Sequence, residues 1–430
     1  MLRRGPLAEA ATGTFALKVA YAGLSFLAAV ILARLLGTRE YGAYAFGMAW
    51  VALLGTVAIL GMDRLLVREI AVLEPRSAWS TMRGLLRRAN QLVALVSVGI
   101  AGVAAALGAA FLEPPFRTPF LVAMLLVPIL SLSLLRQAAM QGLHRVVRGL
   151  LPESLVRPGL LVLLVGIAAV ASSDLDAADA IALTLVAATV SFCVGVALLR
   201  TYLPREVKDA QAEYRSRAWI KSAVALTALS GVTIVDTQSG TVMLGLLAGA
   251  EETGIYAAAA RLAEIVSFVL LAVNAPLAPH VARLHAEGRT GELQRTVTRA
   301  AQAILLFTTP LVVILLVFGE QLLQLFGSGF TGGEGALAIL AVGQLLNAVM
   351  GSVGILLIMT GHERDVLASV GCATVLGVGL SAALIPSLGA EGAAIGRVAS
   401  LVTWNVALTV LTYRRLRIHA TAAGALLGRS

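Results

Sequence analysis

Long apolar runs separated by short polar stretches dominate the chain. A helix that crosses a hydrocarbon core of ~30 Å needs about 20 mostly apolar residues, and twelve segments meet this rule. The predicted spans are 12–36, 41–62, 89–112, 118–140, 150–172, 178–199, 220–247, 255–279, 299–319, 334–359, 364–385 and 390–412. The runs are too long for strands and lack two-residue alternation. The pattern therefore predicts an all-α polytopic membrane protein.

Composition supports the same fold class. Of the 430 residues, 58% are hydrophobic and 13% are charged, whereas soluble domains have ~25% charged residues. The mean hydropathy of +0.88 excludes a soluble enzyme or a nucleic-acid-binding module, despite a net charge of +9. Both cysteines, Cys193 and Cys372, lie inside apolar runs and predict neither a disulfide nor a metal site. The chain contains no phosphate-binding loop motif, so we expect no cofactor.

The basic residues predict the orientation. If the N-terminus is inside, 27 of the 33 lysines and arginines fall on the inner side and three lie within spans. The outer loops then hold only Arg34, Arg39 and Arg117. Because cytoplasmic loops carry an excess of Lys and Arg, this split predicts twelve spans with both termini in the cytoplasm.

An internal repeat divides the chain. Residues Gly37–Ala45 and Gly249–Ala257 share the pattern G-x-x-E-x-G-x-Y-A, at an offset of 212 residues. A second pattern, M-x-G-x-x-R, begins at Met140 and again at Met359. Both pairs fall at matching positions in the predicted topology, which indicates duplication of a six-helix unit.

The repeat predicts two domains, 1–205 and 206–430, which join in a basic, polar stretch at 200–221. Six spans return the chain to its starting side, so the two bundles are expected to run parallel around a central cavity. Repeat-built transporters commonly place the substrate path between such halves. No outer connection is long enough to fold alone, so function is expected within the membrane or at its faces.

Charges inside the spans are the candidate functional residues. Each costs ~2.5–3.5 kcal/mol at the bilayer centre and needs a partner or a water-filled cavity. The candidates are Lys18, Asp236, Arg261, Glu264 and Arg397, with Asn274 and Asn347 as uncharged companions.

Each candidate has a structural and a functional interpretation. Arg261 and Glu264 share a helix face and either close as a local ion pair or line a cavity. Lys18 and Arg397 either extend to the membrane surface or contact substrate. Asp236 either carries a proton or ion, or accepts hydrogen bonds that serve packing.

Four segments carry a further pattern: Ala33–Tyr44, Asp63–Ala71, Met243–Glu264 and Ile385–Ala394. They resemble the Wzx-type polysaccharide-repeat flippases of the multidrug/oligosaccharidyl-lipid/polysaccharide exporter superfamily.

Two positions depart from the family pattern. Gly240 stands where the family has an acidic residue, and Asp236 lies one helical turn earlier. Arg397 replaces a small residue.

The resemblance implies a V-shaped pair of six-helix bundles with a cationic cavity. It implies flipping of an undecaprenyl-diphosphate-linked oligosaccharide from the inner to the outer leaflet of a bacterial inner membrane. Arg261 matches a cavity-facing position of the family. Together with the in-span charges, this predicts substrate contacts from Arg261, Lys18, Arg397 and Asn274. Asp236 and Glu264 are the candidates for coupling to a proton or sodium ion.

The expected partners are the lipid-linked glycan, membrane lipids, a glycan polymerase and glycosyltransferases, and no nucleic acid. Three alternatives remain open. A cation-coupled drug exporter would favour an acidic cavity, whereas these spans hold three cations and two acids. A lipid II flippase is poorly separated by sequence. A membrane-embedded polymerase or ligase needs a large outer loop, so we expect a transporter and not an enzyme.

Overall fold

A computed structural model describes residues 6–171, 174–214 and 216–422. Four cations that entered the orientation count, Arg3, Arg4, Arg215 and Arg429, lie outside these ranges. Throughout the described residues the regular structure is helical, without strands. This confirms the predicted all-α class.

The chain divides into two compact units, Met1–Ile234 and Val235–Ser430. The first unit contains α1 (Pro6–Ala58), α2 (Met62–Leu73), α3 (Trp79–Phe111), α4 (Arg117–Met124), α5 (Leu126–Gly142), α6 (Val146–Leu151), a π-helical turn (Pro152–Val156), α7 (Arg157–Val170), α8 (Ala177–Tyr202) and α9 (Arg205–Asp209). The division falls inside α10 (Ser216–Leu247). The prediction that the duplicated sequences meet at 205/206 stays a prediction.

The second unit continues from α10 through six helices. They are α11 (Ala250–Ala286), α12 (Thr290–Val317), α13 (Gly319–Gln324), α14 (Glu334–Met350), α15 (Val353–Met359) and α16 (Glu363–Leu416), with a 3₁₀ helix at Ser328–Gly333. The predicted span 334–359 is therefore two helices, because Gly351 breaks it with a φ of 73°.

Nine helical segments of the described chain are long and apolar enough to cross a membrane. Two of them, Thr12–Ala58 with 47 residues and Glu363–Leu416 with 54, exceed the length of one crossing. Each contains one non-helical glycine, Gly37 with φ 69° or Gly389 with φ 52°. Glycine adopts this left-handed backbone without the strain of a side chain. Each long segment can therefore supply two spans, while the count of twelve and the cytoplasmic termini stay predictions.

The glutamate of the repeated motif makes the same contact in both units. A carboxylate oxygen of Glu40 accepts a hydrogen bond from the backbone N–H of Ala177, at 3.1 Å. In the second unit, Glu252 accepts from the N–H of Ala390, at 2.8 Å. Both N–H groups open a long helical segment, where they lack intrahelical acceptors and the helix dipole favours an anion. The repeat in the sequence thus has an equivalent tertiary contact in each unit.

The polar connection after α8 is anchored to the first unit. The backbone N–H of Glu213 donates to the carbonyl oxygen of Ser80 at 3.0 Å, and the Thr81 hydroxyl donates to the Glu213 carboxylate at 2.8 Å. Val207 of α9 enters the apolar cluster formed by α2, α3 and α5. The basic stretch predicted as a seam is therefore attached to the start of α3.

Candidate functional site

A buried carboxylate in the second unit is fully paired. The side chain of Asp236, on α10, is 8% exposed. Nη1 of Arg397 donates to the backbone carbonyl oxygen of Asp236 at 2.8 Å and also contacts the Asp236 carboxylate oxygen Oδ2. The hydroxyls of Ser400 and Thr374 donate to the other oxygen, Oδ1. One guanidinium and two hydroxyls therefore satisfy this carboxylate, as buried charges require.

Close helix packing brings these groups together. Arg397 and Ser400 are three residues apart and share a face of α16. A methyl group at Gly377 would lie 2.7 Å from Cβ of Ser400, and one at Gly396 would clash with Ser381. Small residues thus let the segments on either side of the Gly389 break approach closely.

The packing around Gly240, one of the two departures from the family pattern, is also close. A Cβ atom at Gly240 would lie 2.7 Å from the hydroxyl oxygen of Tyr256, which is itself buried. An acidic side chain at 240 would therefore displace the tyrosine. The acid stands instead at Asp236, where Arg397 and two hydroxyls receive it.

The other candidates of the second unit form local contacts. Nη1 of Arg261 donates to the Glu264 carboxylate at 2.9 Å, and the two side chains are 32% and 61% exposed. Asn274 accepts a hydrogen bond from the Ser352 hydroxyl, next to the helix break at Gly351. The predicted pair is therefore present on α11, and Asn274 is linked to the segment between α14 and α15.

Lys18 belongs to the first unit and lines a cavity of about 400 Å³. Three further strongly polar residues, Gln137, Glu153 and Arg157, line the same cavity. The remaining lining residues are neutral: Tyr21, Val51, Ala52, Gly55, Thr56, Leu130, Ser131, Leu134, Leu150, Ser154 and Ile234. A volume within the ~300–1,000 Å³ of ligand pockets makes this cavity the second candidate site.

The orientation count placed Arg136 and Arg157 among the inner-side cations, although both fall within the predicted spans 118–140 and 150–172. Arg136 lies within α5, and Arg157 begins α7 within the apolar segment Val146–Val170. Both can lie there because Glu153 is close to each, with N–O distances of 3.7 and 3.4 Å. The spacing Glu153-x-x-x-Arg157 inside an apolar run is the sequence signal that could have identified this site.

The six predicted site residues thus fall into four places. Asp236 and Arg397 pair with each other, as do Arg261 and Glu264. Asn274 contacts Ser352. Lys18 lies in the first unit and lines a cavity together with two further charged residues, Glu153 and Arg157, which were not predicted from the sequence.

A family profile described as "Polysaccharide biosynthesis protein" matches residues 8–285, and the MatE profile matches 223–382. No curated protein matches the chain.

Several solved structures share the fold. One is an inward-facing multidrug resistance MATE family transporter of the MOP superfamily, with 17% identity, a TM-score of 0.79 and coverage of 95% of this chain and 96% of that chain. An outward-facing transporter of the same description has 16% identity, a TM-score of 0.64 and coverage of 99% and 98%. A MOP superfamily transporter from Pyrococcus furiosus, described as having a binding pocket of reverse polarity, has 14% identity, a TM-score of 0.63 and coverage of 94% and 96%.

The family profile covers well over half of the chain, and the solved structures agree with it in fold. Both comparisons point to transporters rather than enzymes. The chain belongs to the polysaccharide biosynthesis protein family and is a multi-pass membrane transporter of the multidrug/oligosaccharidyl-lipid/polysaccharide exporter superfamily.

Proposed function

We propose that the protein flips an undecaprenyl-diphosphate-linked oligosaccharide from the inner to the outer leaflet of a bacterial inner membrane by alternating access. The observation that carries this proposal is the match to the polysaccharide biosynthesis family over residues 8–285. A diphosphate is also the kind of group that the charges favour. The charged side chains of the two candidate sites and the α11 pair comprise five cations and three acids.

The proposed transport needs charge compensation more than chemistry. A diphosphate must cross ~30 Å of hydrocarbon, and cations along the path replace its water. With the cell interior negative, each outward-moving negative charge gains about 2.3 kcal/mol per 100 mV. A diphosphate with roughly two charges gains about 4–5 kcal/mol, which gives direction without a nucleotide.

Coupling to a proton or sodium ion remains part of the proposal, with one condition from the structure. Asp236 already has Arg397 as its counter-ion. A second cation at this carboxylate would leave a partly buried guanidinium unpaired, which is costly. Ion binding at Asp236 therefore requires that Arg397 moves away in the same step. Glu264 is subject to a weaker form of this condition, because its partner Arg261 is half-exposed.

The drug-exporter alternative is favoured by the MatE match over residues 223–382. A cationic drug needs an available carboxylate or an aromatic surface. Asp236 is paired with Arg397, and Glu264 with Arg261, so neither carboxylate is available to a cationic drug without loss of its arginine. A lipid II flippase would meet the same diphosphate chemistry, and only the glycan separates it from the main proposal.

Reconstitution of the full chain in proteoliposomes tests the proposal. The substrates are a fluorescent polyprenyl-diphosphate disaccharide and a fluorescent cationic dye, each assayed with an imposed potential. We expect the diphosphate lipid to be moved between leaflets and the dye not to be transported. Dye transport without lipid flipping would replace the proposal with the exporter. Glycan specificity is then measured by comparing a lipid II analogue with lipids that carry other sugars.

Both termini are expected on the cytoplasmic side, and a glycan polymerase and glycosyltransferases are the expected partners.

A further inference from the structure

A short non-helical segment, residues 417–422, follows α16 in the second unit; we call it the strap. Arg417 has a left-handed φ of 57°, and its backbone N–H donates to the carbonyl oxygen of Tyr413 at 3.0 Å. The Arg417 guanidinium carbon lies 5.5 Å from the centroid of the Tyr413 ring, and the His419 ring centroid lies 4.8 Å from it. The first residues of the strap are therefore attached to the end of α16.

The strap is hydrogen-bonded to α12 through glutamine side chains. The Gln294 amide donates to the carbonyl oxygen of His419 at 2.7 Å and accepts from the His419 N–H at 2.8 Å. The same amide nitrogen donates to the Thr298 hydroxyl at 2.8 Å. The Gln302 amide donates to the carbonyl oxygen of Ala422 over a longer distance, 3.4 Å. Gln294, Thr298 and Gln302 follow one another at four-residue spacing, so one face of α12 receives the strap.

The strap also contacts the break between α14 and α15. Val349 lies in the last turn of α14, where a carbonyl group lacks an intrahelical donor. Its oxygen accepts a hydrogen bond from the N–H of Ala422 at 3.1 Å. A methyl group at Gly351 would lie 2.8 Å from the carbonyl oxygen of Ala420 and 2.9 Å from Cβ of Ala301. The strap, α12 and the end of α14 therefore meet at the glycine that breaks the helix.

Most of the strap is held by contacts that are easily exchanged for water. Ile418 and Ala420 are buried, whereas its other four residues are exposed or half-buried. A hydrogen bond adds little net stability where water can replace it. Segments with few buried apolar contacts open more often than packed helices. We therefore expect the strap to detach more readily than the three helices that it joins.

We propose that the strap is a releasable lock on the α14–α15 break, and that the second unit changes conformation there only after the strap has detached. Gly351 is the pivot, because glycine absorbs changes in φ and ψ without the strain of a side chain. With the strap in place, Ala420 lies against this pivot and Ala422 holds the end of α14 through Val349. Detachment removes both contacts and lets α14 tilt.

The other side of the break is held separately. The Ser352 hydroxyl, at the start of α15, donates to Asn274 of α11. Release of the strap thus frees α14 and leaves the contact of α15 with α11 unchanged. This inference rests on alternating access, which is part of the proposed function, and is independent of the identity of the substrate.

Thiol labelling measures detachment without a transport assay. The full chain in nanodiscs, with Cys193 and Cys372 replaced by alanine, is treated with a water-soluble maleimide. Ile418→Cys and Ala420→Cys each place a thiol beneath the strap, and Val297→Cys, at a buried position of α12, is the matched control. We expect both strap thiols to be labelled about tenfold faster than the control. Equal labelling rates overturn the proposal.

Substitution of the glutamines tests what holds the strap. Gln294→Leu removes both bonds to His419, so it should speed the labelling of Ala420→Cys and raise hydrogen exchange of the backbone amides in 350–359. Gln302→Leu removes the longer bond and should have a smaller effect. Gln324→Leu is the matched control, because the Gln324 amide bonds within its own helix, α13. Unchanged labelling in Gln294→Leu, or an equal rise in Gln324→Leu, counts against the lock.

A reducible cross-link tests whether release is required for transport. In the background without native cysteines, Gln302→Cys and Ala422→Cys are joined by a short bifunctional thiol reagent. Transport of the glycan lipid and of the cationic dye is then measured in proteoliposomes. We expect the cross-link to abolish transport of whichever probe the uncross-linked protein moves, and reduction to restore it. Full transport with the cross-link in place would make the strap a permanent brace and overturn the proposal.

These results separate the lock from the proposed function. If the cross-link stops dye transport but the wild type flips no glycan lipid, the lock stands and the proposed substrate is wrong. If the wild type flips the glycan lipid and the cross-linked protein does so equally, the function stands and the lock is wrong. If the wild type moves neither probe, the labelling rates decide: fast labelling of the strap thiols supports the lock, and labelling at the rate of the control overturns it.

Discussion

Arg397 and Asp236 are 161 residues apart in the chain, and a single nitrogen atom of the arginine contacts both the carbonyl and the carboxylate oxygens of the aspartate. Each residue departs from the family pattern when read alone. Together they form an ion pair, in which the displaced acid and the unexpected cation are each other's partner. The two departures therefore describe one feature, an internal counter-ion in the second unit.

This relationship predicts a strong coupling in stability. Removing one member of a buried pair leaves an uncompensated charge and costs about 3–5 kcal/mol. We expect Arg397→Met to lower the melting temperature in detergent sharply. Asp236→Asn in the Arg397→Met background should recover much of that loss, because the neutral amide keeps hydrogen-bonding partners in Ser400 and Thr374. Additive losses in the double variant would show that the two side chains act independently.

The repeated glutamates predict a smaller and unequal effect. Loss of a cap costs ~0.5–2 kcal/mol. The start of α8, capped by Glu40, also has a capping box between Asp176 and Asp179. The segment that starts at Ala390 has Glu252 as its carboxylate cap and directly follows Gly389, whose φ is 52°.

Glu252→Ala should therefore lower the melting temperature more than Glu40→Ala. The variants Glu40→Gln and Glu252→Gln, which keep an acceptor oxygen, are the matched controls and should each lose less. An equal loss in Glu40→Ala and Glu252→Ala would argue against the role of the second cap at α8.

Much of the fold can be predicted from the sequence, because the helices depend on residues that are close together in the chain. Apolar length predicts the helices, and Gly37 and Gly389 divide the two longest ones where the hydrophobic pattern divides them. The Arg261–Glu264 pair is also predictable, because three residues on a helix place side chains on one face.

The sites are less accessible to sequence reasoning, because their contacts are long-range. Asp236 and Arg397 meet through the close packing of α10 and α16, which glycine content alone does not locate. Arg136 and Glu153 meet across α5 and a π-helical turn. Without that contact, Arg136 reads as an ordinary topology-setting cation. Its burial is knowable only from the fold.

Arg261 gives a prediction that separates transport from folding. Arg261→Ala should abolish flipping of the glycan lipid while the amount of protein in the membrane stays normal, since the pair with Glu264 is half-exposed and worth little to stability. Glu264→Gln is the companion variant of the pair and should keep the flipping that the electrical potential drives, because the cation remains. Loss of protein rather than of activity in Arg261→Ala would assign the pair a structural role.

Energy coupling gives the last prediction, at Asp236. If an ion is exchanged there, the carboxylate must exchange Arg397 for that ion as the access changes. Asp236→Asn removes the ion-binding charge, so transport should slow and lose its response to a proton or sodium gradient. Its response to the electrical potential should remain, because the diphosphate itself carries charge. The measurement is flipping in proteoliposomes, with the chemical gradient and the potential imposed separately.

Arg397→Gln is the companion variant. It removes the arginine that pairs with Asp236, so Asp236 should bind the exchangeable ion more readily, and the gradient response should shift to lower ion concentration. If Asp236→Asn keeps the wild-type rate and gradient response, Arg397 is a permanent counter-ion, and outward movement is driven by the potential on the substrate alone.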